Sequence, residues 1–316
     1  MDIGMVGLGK MGNAMRERLR RAGHTVVGYD RNQRISGVAS LAELVRKLPT
    51  PRVVWVMVPA GKPTQQIIAS LRKLLRDGDV VVDGGNSRYT DDFRHAARLA
   101  AHGIGFVDVG VSGGVWGLHQ GYALMVGGDP EHVAMVKPAF DTLKPAGEYG
   151  YIHAGPVGAG HFAKMAHNAI EYGLMQAYAE GYELLNCTDL VADVPAVIRS
   201  WKEGTVIRSW LLDLLASALE QDGDLSRIPD YVEDSGEGRW AVEAAVEAGV
   251  ALPAISAALF ARFSSRQQDS PAMKVVAGLR NQFGGHPLTV DPVILGKGAD
   301  APGADVAPPV EADGTS

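Results

Sequence analysis

The hexapeptide Gly7-Leu8-Gly9-Lys10-Met11-Gly12 sits between a short apolar strand over residues 2–7 and a helix over residues 13–22 that Gly23 closes. Three glycines at that spacing and in that context leave few folds open. The first permits a tight turn, the second lets backbone approach a pyrophosphate, and the third lets helix and strand pack closely, with the helix N-terminus aimed at the anion. A second strand, His24 to Tyr29, ends at Asp30, eighteen residues beyond Gly12. An acid there accepts hydrogen bonds from ribose hydroxyls and repels a 2′-phosphate, which favours NAD over NADP, while Arg31 beside it softens that preference. The expected cofactor contacts in this region are Gly7, Leu8, Gly9, Lys10, Met11, Gly12, Asp30 and Arg31.

The alternation of strand and helix continues. Residues 53–58 and 79–83 are continuous apolar runs, the pattern of parallel strands covered on both faces, with a helix near 63–75 between them. The loops that follow, Pro59-Ala60-Gly61 and Gly84-Gly85-Asn86-Ser87, stand at the carboxyl ends of their strands, where open α/β sheets bind ligands. Val58, Pro59 and Asn86 are therefore cofactor-binding candidates. A helix over 90–102 leads to the strand Gly105 to Val109, which runs into Val111-Ser112-Gly113-Gly114. That loop is either a plain turn or a cradle whose free N–H groups hold a carboxylate or phosphate. A strand over 122–128, then helix and strand signals near 131–143 and 149–153, complete the sheet.

From Gly158 onward the apolar spacing is helical through 159–186, 194–200, 206–220, 239–249 and 253–265. The fold expected is an α/β Rossmann-type doubly wound sheet followed by an all-α domain. Its divisions are an NAD-binding domain over 1–155, a helical substrate and dimerisation domain over 156–297 and a flexible tail over 298–316. In the first of these helices Lys164, Asn168 and Glu171 fall at i, i+4 and i+7, so a base, an amide and an acid share one stripe. The stripe is either a solvated face with a Lys/Glu pair or the centre of a site. Residues 234–240 form a glycine-rich turn with Ser235 or Gly236 as helix cap. Arg262 and Arg266 lie four apart, a spacing that suits bidentate phosphate binding and equally an ordinary exposed helix face.

A formal net charge of −6 and the lack of a basic helix argue against a nucleic-acid partner. A single cysteine, Cys187, rules out an internal disulfide and a cysteine-based zinc site, and its apolar helical surroundings place it in the core. There is no run of 18 apolar residues, and the first strand begins at once, so the expected location is cytoplasmic and no membrane partner is expected.

Taken together, these segments resemble the decarboxylating 6-phosphogluconate dehydrogenases of the β-hydroxyacid dehydrogenase superfamily, in the short NAD-linked form. The motifs are Gly7-Leu-Gly-Lys-Met-Gly12, Asp83-Gly-Gly-Asn-Ser87, Val111-Ser-Gly-Gly114, Gly158 to Tyr172, Ile207-Arg-Ser209, Phe260-Ala-Arg262 and Arg280-Asn-Gln-Phe-Gly-Gly-His286. The Ser-Gly-Gly loop and the Lys164/Asn168 pair are superfamily features; His167 with Glu171-Tyr172 marks the phosphogluconate branch. The resemblance implies oxidative decarboxylation of 6-phosphogluconate to ribulose 5-phosphate and CO2 with reduction of NAD, without a metal. Lys164 would be the base, Glu171 the acid that protonates the enediol, and Asn168 the residue that orients the reacting groups.

By the same resemblance Asn86, Ser112, Gly113, Gly114 and His167 would hold substrate hydroxyls and carboxylate, while Tyr172 and Arg262 would hold the phosphate. Arg280 and His286 would enter a partner subunit's site, which implies a homodimer or homotetramer. The chain departs from the long form by lacking a second helical repeat and by carrying Ser235 where a phosphate-binding lysine is expected. Two other activities fit parts of the sequence: a non-decarboxylating dehydrogenase of the 3-hydroxyisobutyrate type, and a dinucleotide-binding sensor without turnover. Glu171 separates the first, which needs no second acid, and the intact Lys164, Asn168 and Glu171 argue against the second.

Overall fold

The computed structural model describes residues 1–284 of the chain. The first half alternates as the apolar runs require: β1 (Asp2–Val6), α1 (Lys10–Arg21), β2 (Thr25–Tyr29), α2 (Leu41–Arg46), β3 (Val53–Val56), α3 (Lys62–Leu74), β4 (Val80–Asp83), α4 (Tyr89–Ala100) and β5 (Gly105–Ser112). A 3-10 turn and the short α5 (Gly117–Gln120) precede β6 (Ala123–Gly128), α6 (Pro130–Leu143) and β7 (Tyr151–Gly155). The strands form one sheet in the order β2-β1-β3-β4-β5-β6-β7. The order reverses between β1 and β3, which opens a ligand crevice at their carboxyl ends. Successive residues of β3 show why its sequence is apolar throughout. Val53 and Trp55 join the core on one face, and Val54 and Val56 the core on the other.

The sheet is not parallel throughout. Pairing of β5 with β6 is antiparallel, and β7 then runs parallel to β6. The link between β5 and β6 holds only a 3-10 turn and one turn of helix, so no full crossover returns the chain to the same end. Element ends also shift: α1 starts at Lys10 rather than 13, α2 had no counterpart in the expected elements, and β5 extends to Ser112.

Beyond the sheet come α7 (Ala159–Asn186), α8 (Val194–Ser200), α9 (Trp210–Gln221), α10 (Glu237–Ala248) and α11 (Pro253–Ser264). With 28 residues, α7 is about 42 Å long. Its first turns lie on β5 and β6. Met165 and Ala169 pack with Ala241 of α10, and Tyr172 packs with Ala258 and Leu259 of α11. Further along, Tyr178 and Tyr182 close a small core made by Val194, Ile198, Leu212, Ala216 and Leu219. The helix expected over 206–220 starts only at Trp210, because the Ser209 side chain accepts the Leu212 N–H and caps it there. Cys187 is exposed, at the end of α7 and outside any core.

Residues Met1–Ser265 make one compact unit, and a second begins at Arg266. Arg266 thus lies beyond α11, which ends at Ser264, and the two arginines do not share one helix face. The second unit contains α12 (Pro271–Gly284), where a helix had not been assigned; it carries Arg280 and exposes Met273, Val275, Val276, Leu279 and Phe283. His286 and the tail over 298–316 lie outside the described residues. No helix among the described residues is long and apolar enough to cross a membrane.

Candidate active site

A cavity of about 950 Å³ opens at the carboxyl ends of β1, β3 and β4 and is closed on its far side by α7, α9, α10 and α11. At the end lined by the loop after β1 the glycines act as spacing elements. Gly7 has φ +93°, and a Cβ on Gly12 would come within 2.0 Å of the Gly7 carbonyl oxygen, so α1 approaches β1 at a distance that only glycine allows. A Cβ on Gly9 would meet nothing within 4 Å, which leaves open space beside the backbone where a pyrophosphate fits. The N-terminus of α1 has no side-chain cap and no acid in its first turn, so its N–H groups are left for an anion.

Gly9, Lys10, Met11, Gly12, Val58, Pro59 and Asn86 all line the cavity. Gly7, Leu8, Asp30 and Arg31 are not among its lining residues. Gly7 and Leu8 are buried supports of the loop, and Arg31 is exposed. One oxygen of Asp30 accepts the Leu8 N–H at 2.8 Å and the other accepts the Asn32 N–H at 2.8 Å. The carboxylate thereby braces the glycine loop, and each oxygen keeps a further lone pair for a ribose hydroxyl.

The stripe of Lys164, Asn168 and Glu171 lies on the opposite wall. Lys164 is buried, and its Nζ donates to Asn168 Oδ1 at 2.6 Å and stands 3.4 Å from His167 Nδ1. Burial pushes the lysine below its usual 10.5, while the carboxylates of Glu171 and Glu237 pull it back part of the way. Glu171 lines the same cavity two helical turns beyond Lys164 and one beyond His167, with Oε2 3.8 Å from His167 Nδ1. Lys164, Asn168, His167 and Glu171 thus meet around one space, and Ser112, Gly113 and Gly114 face it from the end of β5.

The sheet fixes where that lysine stands. A Cβ on Gly110 of β5 would come within 2.2 Å of Lys164 Cβ, and a Cβ on Gly160 would meet two strand carbonyls at 2.4 and 2.6 Å. Asp108, buried on β5, accepts the N–H groups of Gly158 at 2.7 Å and His161 at 2.9 Å, which caps α7 and sets its register on the sheet.

At the far end the Arg262 guanidinium stacks 3.5 Å from the centre of the Tyr172 ring and donates to the Glu233 carbonyl at 3.1 Å. The Tyr172 hydroxyl accepts the Ser235 N–H at 3.3 Å, so the 234–240 turn is fastened to α7. The cap of α10 is Gly236, with φ +104°. Arg280 belongs to the other unit and is exposed there.

The structure adds Asp108, Glu237 and an apolar wall from α9 to the residues that the motifs mark, and it gives Asp83 of the Asp83-to-Ser87 motif a role. Asp108 and Asp83 sit inside or at the end of apolar strands, and that exception to the pattern was the available signal. Asp83 accepts from the Gly85 N–H and the Ser87 hydroxyl, shaping the loop that presents Asn86. Glu237, within the glycine-rich turn that the sequence predicts over 234–240, is buried and accepts from the side-chain amides of both Asn86 and Asn168. Trp210, Leu211 and Leu214 of α9 give the cavity an apolar wall that no motif marks.

Residues 2–150 match the family model for the NAD binding domain of 6-phosphogluconate dehydrogenase, and residues 160–285 match that for the 6-phosphogluconate dehydrogenase C-terminal domain. The YqeC protein of Bacillus subtilis is 42% identical over 90% of this chain and 98% of its own. An NAD(+)-dependent, decarboxylating 6-phosphogluconate dehydrogenase of Haloferax volcanii is 39% identical over the same shares of the two chains. Among solved structures, the 6-phosphogluconate dehydrogenase of Plasmodium falciparum aligns with TM-score 0.78 and 27% identity over 92% of this chain and 67% of that one. On the sequence of both halves and on its fold, the chain belongs to the 6-phosphogluconate dehydrogenase family.

Proposed function

We propose that this chain oxidises 6-phosphogluconate and releases its carboxylate as CO2, giving ribulose 5-phosphate. When bound, NAD supplies the acceptor for the hydride that leaves C3. The observation that carries the reading is the pairing, on one wall of the cavity, of a buried lysine with an acid two helical turns further along α7. Lys164, held below its usual pKa by burial, takes the proton of the C3 hydroxyl. The ammonium so formed returns that proton to the ketone oxygen as the bond to the carboxylate breaks, and the electron pair is held as an enediol. Glu171, in its acid form, protonates the terminal carbon of the enediol, and the enol hydroxyl gives its proton back to Lys164. A dehydrogenase that stops at the ketone has no use for Glu171.

The remaining assignments rest on the family resemblance, with those residues that line the cavity in support. Asn168 orients the reacting hydroxyl by holding Lys164 Nζ at 2.6 Å. Asn86, His167, Ser112 and the N–H groups of Gly113 and Gly114 hold the sugar hydroxyls and the carboxylate. Tyr172 and Arg262 hold the phosphate, with Arg280 and His286 of a second copy completing it. Self-association is supported by the exposed apolar side chains along α12, the helix that carries Arg280.

Following NADH and CO2 together with NAD and 6-phosphogluconate tests the reading. Equal amounts of both are expected. NADH without CO2 overturns the decarboxylation, and turnover only with an unphosphorylated hydroxyacid overturns the substrate.

A further inference from the structure

We propose that Glu237 is a positioning residue for the proton transfer at Lys164: its carboxylate sets the orientation of the Asn86 and Asn168 amides, and through Asn168 aims the lysine. The inference rests on the reading of Lys164 as the base. Glu237 opens α10 directly after Gly236, whose left-handed backbone turns the chain so that the carboxylate enters the cavity wall. Only 3% of it is exposed. Oε1 accepts from Asn168 Nδ2 at 3.0 Å and from the Asn86 amide, which reaches it from the loop after β4. Oε2 is buried and has no partner among the described residues.

A side-chain amide has two faces, one that donates and one that accepts, and a flip exchanges them at little cost unless a neighbour decides. A carboxylate accepts only, so Glu237 compels both asparagines to turn Nδ2 toward it. For Asn168 the consequence is that Oδ1 faces Lys164 and accepts its N–H at 2.6 Å. With one N–H of the neutral amine so engaged, its lone pair is directed away from Asn168 and into the cavity. Were the amide reversed, its Nδ2–H groups would face the nitrogen, setting donor against donor in the ammonium and tying up, in the neutral amine, the lone pair that the base needs. The second effect is electrostatic. Lys164 meets His167 and Glu171 from its own helix and Glu237 from α10, while Asp108 of β5 is engaged by the N–H groups of Gly158 and His161. The negative charge of Glu237 raises the lysine against the lowering by burial.

Two variants separate the effects. Glu237→Gln keeps an acceptor for both amides and removes the charge, so turnover stays within about tenfold of wild type. The acid limb of kcat/KM, which reports the lysine that must be neutral, then moves to lower pH by roughly half a unit to one unit. Glu237→Ala frees both amides and lowers kcat about a hundredfold, with KM for NAD changed by less than about threefold. A residue that only stabilised the fold would change the melting temperature and leave the limb where it was. An active wild type with an Ala variant within threefold in kcat, or with an unmoved limb in the Gln variant, overturns the proposal alone. A wild type without turnover overturns it together with the assignment of Lys164. Should the Ala variant fail to fold, the limb of the Gln variant decides.

Discussion

Gly110→Ala tests whether the sheet places Lys164, the proposed base. The added methyl would lie 2.2 Å from Lys164 Cβ and 2.9 Å from the Gly160 carbonyl oxygen. Ordinary carbon–carbon contact is about 3.5–4.0 Å, so roughly 1.3–1.8 Å must be found. Neither obstacle is the free end of a side chain. Lys164 Cβ is fixed to the helix backbone, and Gly160 is itself pressed against strand carbonyls at 2.4 and 2.6 Å from where its Cβ would stand. The first turns of α7 must therefore lift from β5, against the hold that Asp108 has on Gly158 and His161. Overpacking of this kind costs about 1–3 kcal/mol of stability, and displacing a reacting group by about 1 Å costs on the order of a hundredfold in rate. Steady-state NADH formation with 6-phosphogluconate, beside thermal unfolding and NAD titration, reads all three quantities. Expected are a fall of about a hundredfold in kcat, a lower melting temperature and NAD binding within about threefold of wild type. A variant with kcat within twofold of wild type would refute the claim that close packing at Gly110 sets the lysine.

Three further outcomes follow from the same geometry. The kcat/KM for NADP should be lower than for NAD by roughly tenfold or more, because a 2′-phosphate would approach the Asp30 carboxylate, and an equal or higher value contradicts that placement. Arg262→Ala should raise KM for 6-phosphogluconate about 10- to 100-fold through loss of charge-assisted hydrogen bonds while leaving KM for NAD unchanged, and a substrate KM within twofold would remove Arg262 from the phosphate site. Asp92→Ala should destabilise the fold by about 3–5 kcal/mol, because it strips a buried imidazole of its partner. His161 Nδ1 stands 2.8 Å from Asp92 Oδ2, an N–H facing a carboxylate oxygen, with both side chains out of solvent. Burial disfavours its charged form, but the carboxylates of Asp92, Asp83 and Asp108 more than reverse this and push the imidazole up. Denaturant unfolding showing a loss under about 1 kcal/mol would place the stability elsewhere.

The alternation of strand and helix could be read from the sequence because parallel strands buried on both faces carry uninterrupted apolar runs, and Val53 to Val56 fill two cores at once. Strand direction is a different kind of information. A run such as Ala123 to Gly128 has the same composition whichever way it lies, and only the shortness of its link to β5 marks it as antiparallel. Helix ends depend on single side chains, which is why Ser209 holds α9 to a start at Trp210. Helix interiors depend on packing, and the exposure of Cys187 at the end of α7 reflects a helix that has run past its core.

The site divides along the same line. Lys164, Asn168 and Glu171 could be recognised because a helix converts spacing of four and three into one face, and Gly9 and Gly12 because a backbone that must approach a ligand or a strand tolerates nothing larger. Glu237 offered no such rule. It lies 69 residues from Asn168 and 151 from Asn86, and nothing local distinguishes it from a solvated acid at a helix start. Its role arises only when α10 and α7 pack together, with Gly238 so close to the Tyr172 ring that a Cβ would stand 2.8 Å from it. That contact also bears on the missing lysine at Ser235. With the Ser235 N–H on the Tyr172 hydroxyl and Arg262 on the ring face, the turn, the tyrosine and the arginine form one assembly, and Arg262 is the cation that this assembly holds at the cavity wall. The same turn that lacks a lysine at Ser235 carries Glu237 two residues later, so it reaches the end of the cavity where Asn168 holds Lys164.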